Sequence, residues 1–472
     1  MTEQQGTAGS SAGTVSNTQV DSTSGTTRRG VIGRTLGVAA LPAAGWLAAC
    51  GAGGGSGQEA GGSKSQAPVT LRYAGPFTPG PANTFAEGVT KVIDAYNAQA
   101  KNVTVKWEEP KPLAEGILAQ VAGGDAPDLV HSHPRDYLPY ADVVRELDSL
   151  FKKDKKLIPD PLPVVLDYGI RHGQPGSPHT GMPNNMSVQS IYYNKALFEK
   201  NGLKTPDQLE KEGKWTWDAY MDAARRITTG SGSNKIWGAS WTTNTMDIHL
   251  GYIWPMGGDL WDRDVQNTLI ERKETLEAIQ FMGDLTGKYA VSPDVEETKI
   301  LPRATGGALA IQRAGMEVLT NDVIALFANE PFEKGVAPMP KGRAGRAVRG
   351  AVVGLGITKG SKNQDPAWDY ALFTSGPTGE KIMMDLHLTL PWRKSTLASP
   401  EFAKNLLPWE SAAYYTEGLK ALRATVYPVQ FDAIRRLYAT AYDKVRAGQE
   451  TSTQAMTSIK GQVNELLKKG AK

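Results

Sequence analysis

Apolar and polar positions follow two different periods in the first part of the folded body. Val69 to Tyr73 alternates as a strand does, and apolar residues then recur at helical spacing between residues 85 and 96. A second alternating run occupies residues 103–107, a second helical stripe occupies residues 113–121, and a third strand opens at Asp128. The order strand, helix, strand, helix, strand predicts an α/β fold that begins with a parallel, doubly wound sheet.

Helical and strand patterns keep alternating to the end of the chain, and no internal repeat of fixed period interrupts them. The chain has 472 residues, more than one ordinary domain needs, so we expect two or three domains. One late helix has a clear apolar stripe, formed by Phe431, Ile434, Leu437, Tyr438, Ala441 and Val445.

Composition and charge narrow the class of protein. Hydrophobic residues make up 40% of the chain and charged residues 21%, as in ordinary globular proteins. Lysine and arginine number 52 and aspartate and glutamate 49, a net charge of +3, whereas nucleic-acid binders show a strong basic excess. We therefore expect no nucleic-acid partner. Outside the N-terminal leader, no apolar stretch approaches the roughly 20 residues of a transmembrane helix.

The leader has the pattern of an export signal. Residues 1–27 are rich in Gly, Ser, Thr and Gln and have few apolar side chains, so we expect them to be disordered. Arg28 and Arg29 then precede a weakly apolar run from Leu36 to Trp46, which is typical of a signal peptide rather than a spanning helix. The arginine pair resembles the twin-arginine signal, which exports folded proteins.

The single cysteine, Cys50, ends this leader. A lone thiol excludes an intrachain disulfide and a multi-cysteine metal site. Leu47 to Cys50 resembles the bacterial lipoprotein cleavage box, in which the cysteine becomes the lipidated first residue; a buried cysteine in an apolar helix is the alternative. Gly and Ser dominate residues 51–65, which predicts a flexible tether. The resemblance implies anchoring by lipid on Cys50 at the extracytoplasmic face of a bacterial membrane.

Several segments of the body resemble, in order, those of extracellular solute-binding proteins of the sugar type. Gly123 to Val130 resembles the family's helix-to-strand turn, where glycines end the helix and Pro and Asp shape the turn. Trp215 to Asp218 resembles a helix start of the family, with Thr216 as the N-cap. Further resemblances cover the first interlobe crossing with the helix after it at Gly181–Phe198 and the Gly-Gly turn near the ligand at Met256–Leu260. Gly335–Gly342 resembles the second crossing, Leu390–Ser395 resembles the late crossing, and Gly354–Ile357 and Gly360–Asn363 continue the family's pattern.

This resemblance covers essentially the whole body, from Pro68 onwards, and implies a type II periplasmic-binding-protein fold. Two α/β lobes, each a sheet flanked by helices, would close by hinge motion around a ligand in the cleft between them. The expected domains are a signal peptide, a lipidated tether, an N-terminal lobe and a C-terminal lobe, at residues 1–49, 50–67, 68–186 with 338–388, and 187–337 with 389–472.

The family's function is to deliver a captured solute to an ABC importer. The resemblance therefore implies a small-molecule solute, with a sugar as the expected class, and permease subunits as partners. It also implies a monomer without a cofactor. Presentation of the ligand to a membrane sensor is an alternative that the sequence leaves open.

Aromatic side chains are the first candidates for ligand contact, because the C–H faces of sugars pack on flat rings. Trp241, Trp254 and Trp392 fall in segments that the resemblance places near the cleft. The alternative for each is a core or hinge residue. Phe77 follows the first strand, at the carboxyl end where open α/β sheets bind ligands.

Polar candidates are needed to pair with the hydroxyls of a sugar. They lie at the first crossing, near the segment that begins at Gly307, at the late crossing and after the third strand. For the first group the alternative is a solvated loop, and for the arginines it is a surface salt bridge. The polar candidates are Asn184, Asn185, Gln189, Arg313, Glu317, Arg393 and His131.

The sequence gives little support to two other classes of protein, a hydrolase and a metal-binding protein. A glycoside hydrolase needs a pair of carboxylates, and nothing in the sequence marks such a pair; no P-loop is present either. His131 and His133 alternate on one face, which suits a metal, but the nearby chain offers no obvious third ligand. We therefore expect neither catalytic residues nor a metal site.

Overall fold

The structure is a computed structural model that describes residues 67–76, 84–158, 160–169, 176–241, 246–301 and 307–470. The predictions for Arg28, Arg29, Cys50 and Phe77 lie outside these residues. Contacts separate Met1–Lys64 from a compact unit, Ser65–Lys472, which is the body of the protein. Within the described residues no helix combines the length and the apolar character that a membrane crossing requires.

The described residues form nine strands in one connected sheet. They are β1 Val69–Ala74, β2 Val103–Glu108, β3 Leu129–Ser132, β4 Met182–Asn194, β5 Trp237–Ser240, β6 Ala314–Thr320, β7 Lys334–Pro338, β8 Val348–Ile357 and β9 Leu422–Arg423.

Helices flank this sheet throughout. Those in the described residues are α1 Thr84–Gln99, α2 Leu113–Ala122, α3 Pro134–Tyr137, α4 Asp148–Lys153, α5 Pro163–Gly169, α6 Lys195–Lys200, α7 Pro206–Lys211, α8 Trp217–Ile227, α9 Leu250–Ile253, α10 Lys273–Gly287, α11 Val295–Ile300, α12 Gly307–Ala310, α13 Gln364–Ser375, α14 Pro377–Asp385, α15 Lys394–Leu397, α16 Pro400–Asn405, α17 Ala412–Lys420, α18 Phe431–Arg446 and α19 Ser452–Gly470.

The start of the fold confirms the elements predicted from periodicity. β1, α1, β2, α2 and β3 follow in the expected order, and β1 pairs in parallel with both β2 and β3. β3 then pairs antiparallel with β8. All four residues of β3 are buried, as expected for a strand that is covered on both faces. The predicted N-cap is also present, because the Thr216 hydroxyl accepts a hydrogen bond from the backbone of Ala219.

The long strand β4 joins two lobes. Its first half, Met182 to Val188, pairs with β8, and its second half, from Gln189 onwards, pairs with β6 and β7. We define the N-terminal lobe by β1, β2, β3, β8 and the first half of β4, and the C-terminal lobe by β5, β6, β7 and the second half. The predicted two-lobed α/β fold is confirmed.

Helix packing follows the two lobes. α5, α13 and α14 pack against β4, and α5 and α13 also pack against β8, whereas α8 packs against β5 and β6. α10, α18 and α19 pack together as a layer, and α9 joins it through α10. In the last part of the chain, α16 packs against α14 before α17 packs against β4 and β7. The exact residues at which the chain passes from one lobe to the other stay a prediction.

Candidate functional site

The carboxyl end of β3 places a compact set of polar side chains at the edge of the N-terminal lobe. His131 lies within the strand and His133 directly after it, with their rings stacked 6.5 Å apart. His133 is the N-cap of α3, and its Nδ1 accepts a hydrogen bond of 3.2 Å from the backbone of Arg135. Arg135 in turn donates from Nε to Asp136, at 2.9 Å. This is the edge of an α/β sheet at which ligands bind.

Burial sets the protonation of these groups. It lowers the pKa of His131 to about 4 and that of His133 to about 3, so both rings are neutral at physiological pH. Burial alone would raise the pKa of Asp136. The positive charges of Arg135 and of protonated His133 outweigh burial and lower this pKa to about 2. At neutral pH the described residues at this end of the N-terminal lobe therefore include a fixed cation, Arg135, and a fixed anion, Asp136.

A second polar group joins one residue of β8, in the N-terminal lobe, to residues of the segments that precede α9 and α18. Arg349 enters at the start of β8, and its Nη2 lies 2.6 Å from Oδ2 of Asp247, which precedes α9. The hydroxyl of Tyr427, which precedes α18, donates to the same oxygen at 3.1 Å. The side chains of Arg349 and Asp247 are only 6% and 0% exposed, so this ion pair is removed from water.

The two groups are close enough to interact electrostatically. Burial opposes the charge of Asp247, but the positive charges of Arg349 and of Arg135 outweigh it and lower its pKa. The charge of Arg349 likewise acts on His133. Residues of the N-terminal lobe and of the C-terminal lobe therefore share one electrostatic environment. We define the interlobe cluster as His131, His133, Arg135, Asp136, Asp247, Arg349 and Tyr427.

Several buried oxygens at this junction have no protein hydrogen-bond partner among the described residues. Oδ1 of Asp247 is one, and Oδ1 of Asp322, in the short turn after β6, is another. Burial raises the pKa of Asp322, on which the charge of Arg349 also acts. Oε1 of Gln189 and Oγ1 of Thr425 are likewise buried without a partner. Buried acceptors of this kind are costly unless a ligand or water donates to them.

A cavity of about 430 Å³ is lined by residues close in the chain to Asp247 and Tyr427, among them Leu250 and Val426. Its other lining residues come from α5 of the N-terminal lobe, from the loop that follows α9 and from residues 422–425. The volume falls within the roughly 300–1,000 Å³ that small-molecule sites occupy.

The polar residues predicted at the first crossing lie where β4 passes between the lobes. Gln189 donates to the carbonyl of Ile248 at 3.0 Å, next to Asp247, and is therefore close to the cluster. Asn185 donates to the carbonyl of Leu388 at 2.7 Å. Asn184 stands at a register irregularity between β4 and β8, and its Oδ1 is buried with no hydrogen-bond partner in the described part of the chain. The role of these three in ligand binding stays a prediction.

The predicted tryptophans have different surroundings. Trp254 lines the cavity, donates to Asp259 at 3.0 Å and lies under the guanidinium of Arg423, 4.7 Å from its ring. Trp241 packs edge-on against Tyr252 with ring centroids 4.5 Å apart. Trp392 is 1% exposed, and the indole Nε1 atoms of Trp241 and Trp392 find no acceptor in the residues that the structure describes.

Three predicted polar residues are engaged elsewhere. Arg313, just before β6 and at its far end from Asp322, donates to the carbonyls of Lys235 and Gly232, both at 3.0 Å. The buried carboxylate of Glu317 accepts from Ser240 at 3.0 Å and from the backbone of Leu309 at 2.8 Å. These contacts give both side chains a structural role in the C-terminal lobe.

Arg393 is engaged within the N-terminal lobe. Its guanidinium forms an ion pair with Glu380 of α14, and the side chains are 5% and 1% exposed. The same carboxylate accepts from the hydroxyl of Thr396 and the backbone of Trp392. This closed network holds the segment after the late crossing against α14.

The sequence did not predict the most informative members of the cluster, which are Arg135, Asp247, Arg349 and Tyr427. A signal was present for two of them, because Asp247 and Arg349 each stand directly before a mostly apolar stretch, where a charged side chain is rarely buried unless it is paired. Within the described residues no three His, Cys, Asp or Glu side chains are arranged to hold a metal ion.

Comparison with known sequences gives one family. The profile of bacterial extracellular solute-binding proteins matches residues 82–381. A binding protein of Brucella abortus is 26% identical over 194 residues, which are 40% of this chain and 44% of that protein. The diacetylchitobiose binding protein NgcE of Streptomyces coelicolor is 28% identical over 144 residues, 28% of each chain. The chain thus spans less than half the length of the curated relatives it matches.

Comparison with solved structures agrees on the fold. An ABC substrate-binding protein of Listeria monocytogenes in complex with cycloalternan superposes with a TM-score of 0.72 at 21% identity, over 85% of this chain and 99% of that chain. UgpB of Mycobacterium tuberculosis in complex with glycerophosphocholine gives a TM-score of 0.70 at 19% identity, over 85% and 98%. Both are similar to this chain across nearly their whole length.

Proposed function

The chain belongs to the bacterial extracellular solute-binding proteins, a family of binding proteins, and we propose that it captures an uncharged, hydroxyl-rich solute, a carbohydrate, for an ABC importer. The observation that carries the proposal is the buried Asp247 carboxylate. One of its oxygens is held by Arg349 and Tyr427, and the other has no partner among the described residues. It lies where the lobes meet, so a solute that donates to it would touch both.

The charges of the cluster favour an uncharged solute. Arg135 and Asp136 form one pair and Arg349 and Asp247 another, while burial keeps His131 neutral. A carboxylate or phosphate would meet arginines that are already paired and would face the carboxylates beside them. A sugar hydroxyl donates to a carboxylate without bringing a charge.

Hinge closure links binding of the solute to the arrangement of the two lobes. Cluster residues come from the end of β3, from the start of β8 and from the segments before α9 and α18. A solute bound to all of them favours the closed arrangement of the lobes over the open one. The importer's permease subunits would then engage the closed form, and no covalent step is needed.

The names of similar proteins support a sugar. The Streptomyces relative binds diacetylchitobiose, and the Listeria structure holds cycloalternan. The UgpB structure holds glycerophosphocholine, which carries a charged phosphodiester. Because the charges of the interlobe cluster are already paired with each other, we expect this chain to bind a sugar, as the first two proteins do, rather than a charged phosphodiester.

Export and anchoring complete the proposal. Arg28 and Arg29 would direct export by the twin-arginine route, and Cys50 would carry the lipid that holds a monomer at the outer face of the cell membrane. Loss of membrane association on Cys50→Ala, with unchanged ligand binding, is the expected result of cell fractionation. Retention of the variant in the membrane fraction would refute the anchor.

A thermal-shift screen of the full chain tests the proposed class of solute. Neutral sugars and polyols would be compared with sugar phosphates, amino acids and short peptides, each at a saturating concentration. A ligand at 100 times its dissociation constant adds about 2.7 kcal/mol of stability, which moves the unfolding midpoint measurably. Stabilisation by a neutral sugar is the expected result, and stabilisation only by charged solutes or peptides would overturn the proposal.

A further inference from the structure

Four lysines crowd together on the surface of the N-terminal lobe, between α4 and α5. Lys152 and Lys153 end α4, and Lys155 and Lys156 lie in the short 3-10 turn that follows it. All four side chains are exposed, and none forms an ion pair within the part of the chain that the structure describes. Like charges so close together repel one another, so an anionic surface that covered them would be attracted.

An apolar side chain stands directly beside these lysines. Leu157 is 60% exposed, compared with 40% for Ile311 and 38% for Leu118, the other large apolar side chains that stand out in solvent among the described residues. A single exposed leucine is ordinary on a protein surface. Next to four lysines, however, it completes the combination of basic and apolar side chains that is typical of segments bound at a membrane interface. We define the basic patch as Lys152, Lys153, Lys155, Lys156 and Leu157.

The carboxylates nearest in the chain are engaged by neutral donors rather than by these lysines. Asp154 accepts a hydrogen bond of 2.7 Å from the indole of Trp368 in α13, whose ring also packs edge-on against Phe151 with centroids 5.8 Å apart. Asp160 accepts from the backbone and the hydroxyl of Ser395 in α15, at 2.6 and 3.1 Å. The segment is therefore tied to the lobe on both sides of the patch, while its lysines stay unpaired.

From these observations we propose that the basic patch docks the N-terminal lobe on the anionic phospholipid headgroups of a membrane. The lysines meet the phosphates of the headgroups, and Leu157 enters the apolar boundary beneath them. This role goes beyond solute capture. It is linked to the proposed anchor, because a lipid on Cys50 holds the chain beside the membrane, where even weak contacts of the patch form intramolecularly.

Co-sedimentation of the full chain with vesicles tests the docking. Cys50→Ala in every protein removes the lipid, and the leader is common to all of them, so its contribution cancels in the comparison. We expect tighter binding to phosphatidylglycerol vesicles than to phosphatidylcholine vesicles, and less of it at high salt. A Lys155→Gln, Lys156→Gln double variant should bind phosphatidylglycerol vesicles about tenfold more weakly at low salt. Lys468→Gln with Lys469→Gln, in the last turn of α19, removes the same charge and should leave binding unchanged.

Leu157→Ser separates the apolar contact from the charges. It should weaken binding at low and at high salt alike, because salt screens only the charged contacts. Equal binding to the two kinds of vesicle, or equal losses in the two lysine double variants, would overturn the proposal. So would a patch variant that binds vesicles normally but fails to support sugar uptake in cells, since the lysines would then serve the importer. Thermal unfolding shows that each variant is folded, and none of these outcomes bears on sugar capture at Asp247.

Discussion

The hydroxyl of Tyr427 donates, at 3.1 Å, to the same carboxylate oxygen of Asp247 that Arg349 holds at 2.6 Å. Both partners therefore occupy one oxygen, and the other oxygen of this fully buried side chain has no partner among the described residues. Such an arrangement orients a carboxylate and keeps half of its hydrogen-bonding capacity for a solute.

Removal of the Tyr427 hydroxyl tests this orientation. Tyr427→Phe keeps the ring, which packs edge-on against Phe431 with centroids 5.0 Å apart. It deletes the bond to Asp247 and the longer bond, 3.4 Å, that the hydroxyl accepts from Arg349. Because the acceptor is charged, we expect the free energy of unfolding to fall by about 1.5–3 kcal/mol in denaturant titrations. Tyr289→Phe, a partly exposed position after α10, should change it by less than about 0.5 kcal/mol. Equal stability of Tyr427→Phe and wild type would contradict the bond.

Stability should decline as the pH falls below about 6.5. Burial holds the pKa of His131 at about 4 and that of His133 at about 3 in the folded state, whereas unfolded histidines titrate near 6.5. Below pH 6.5 the unfolded chain therefore binds protons that the folded chain does not, and the free energy of unfolding decreases towards pH 4.

The test of this pH dependence is a comparison of two proteins. Unfolding free energies of the wild type and of a His131→Gln, His133→Gln double variant would be measured from pH 8 to pH 4. The double variant should show the shallower decline, because two groups that bind protons only on unfolding are gone. Parallel curves would show that these rings are not held neutral by burial.

Arg393 should matter for stability more than for the solute. Arg393→Met leaves Glu380 buried without its counter-charge, which costs roughly 3–5 kcal/mol when a buried pair is broken. We expect a large drop in the thermal midpoint and, below that midpoint, an unchanged dissociation constant for the sugar. A tenfold weaker affinity with an unchanged midpoint would instead place Arg393 at the ligand, as the sequence motif implied.

Gly350 is needed where β4 and β8 lie beside each other at the lobe junction. A Cβ atom at this position would lie 2.4 Å from the carbonyl oxygen of Ser187 and 2.6 Å from Cδ1 of Leu422. Gly350→Ala should destabilise the protein by about 1–3 kcal/mol, because the strands must separate. Gly461→Ala, at a position in α19 where nothing lies within 4 Å of a new Cβ, should stabilise it by about 0.5–1 kcal/mol. Similar effects of the two substitutions would argue against close packing at the junction.

The sequence predicted the fold well because its signals are local. The stripe of α1 and the alternation of β1 and β2 each lie within one element, and the parallel pairing follows from their order. Thr216 was likewise identified as an N-cap because its partner is three residues away. Family motifs then implied the two lobes, which periodicity alone could not supply.

The site was harder to predict because it assembles over long distances in the chain. Asp247 meets Arg349 across 102 positions and Tyr427 across 180. Arginines also look alike in sequence. Arg313 is engaged by backbone carbonyls 78 and 81 positions away and Arg393 by Glu380, whereas Arg349 lies in the cluster. Only the fold decides which partner each one meets.

Calorimetric titration of a neutral sugar into the full chain and into Asp247→Asn tests the central claim most directly. The substitution keeps the size of the side chain but removes the charge that Arg349 holds and weakens the acceptor that faces the solute. We predict one sugar bound per chain and an affinity at least about tenfold weaker in the folded variant. An unchanged affinity in folded Asp247→Asn would contradict the proposal that this carboxylate captures the solute between the lobes.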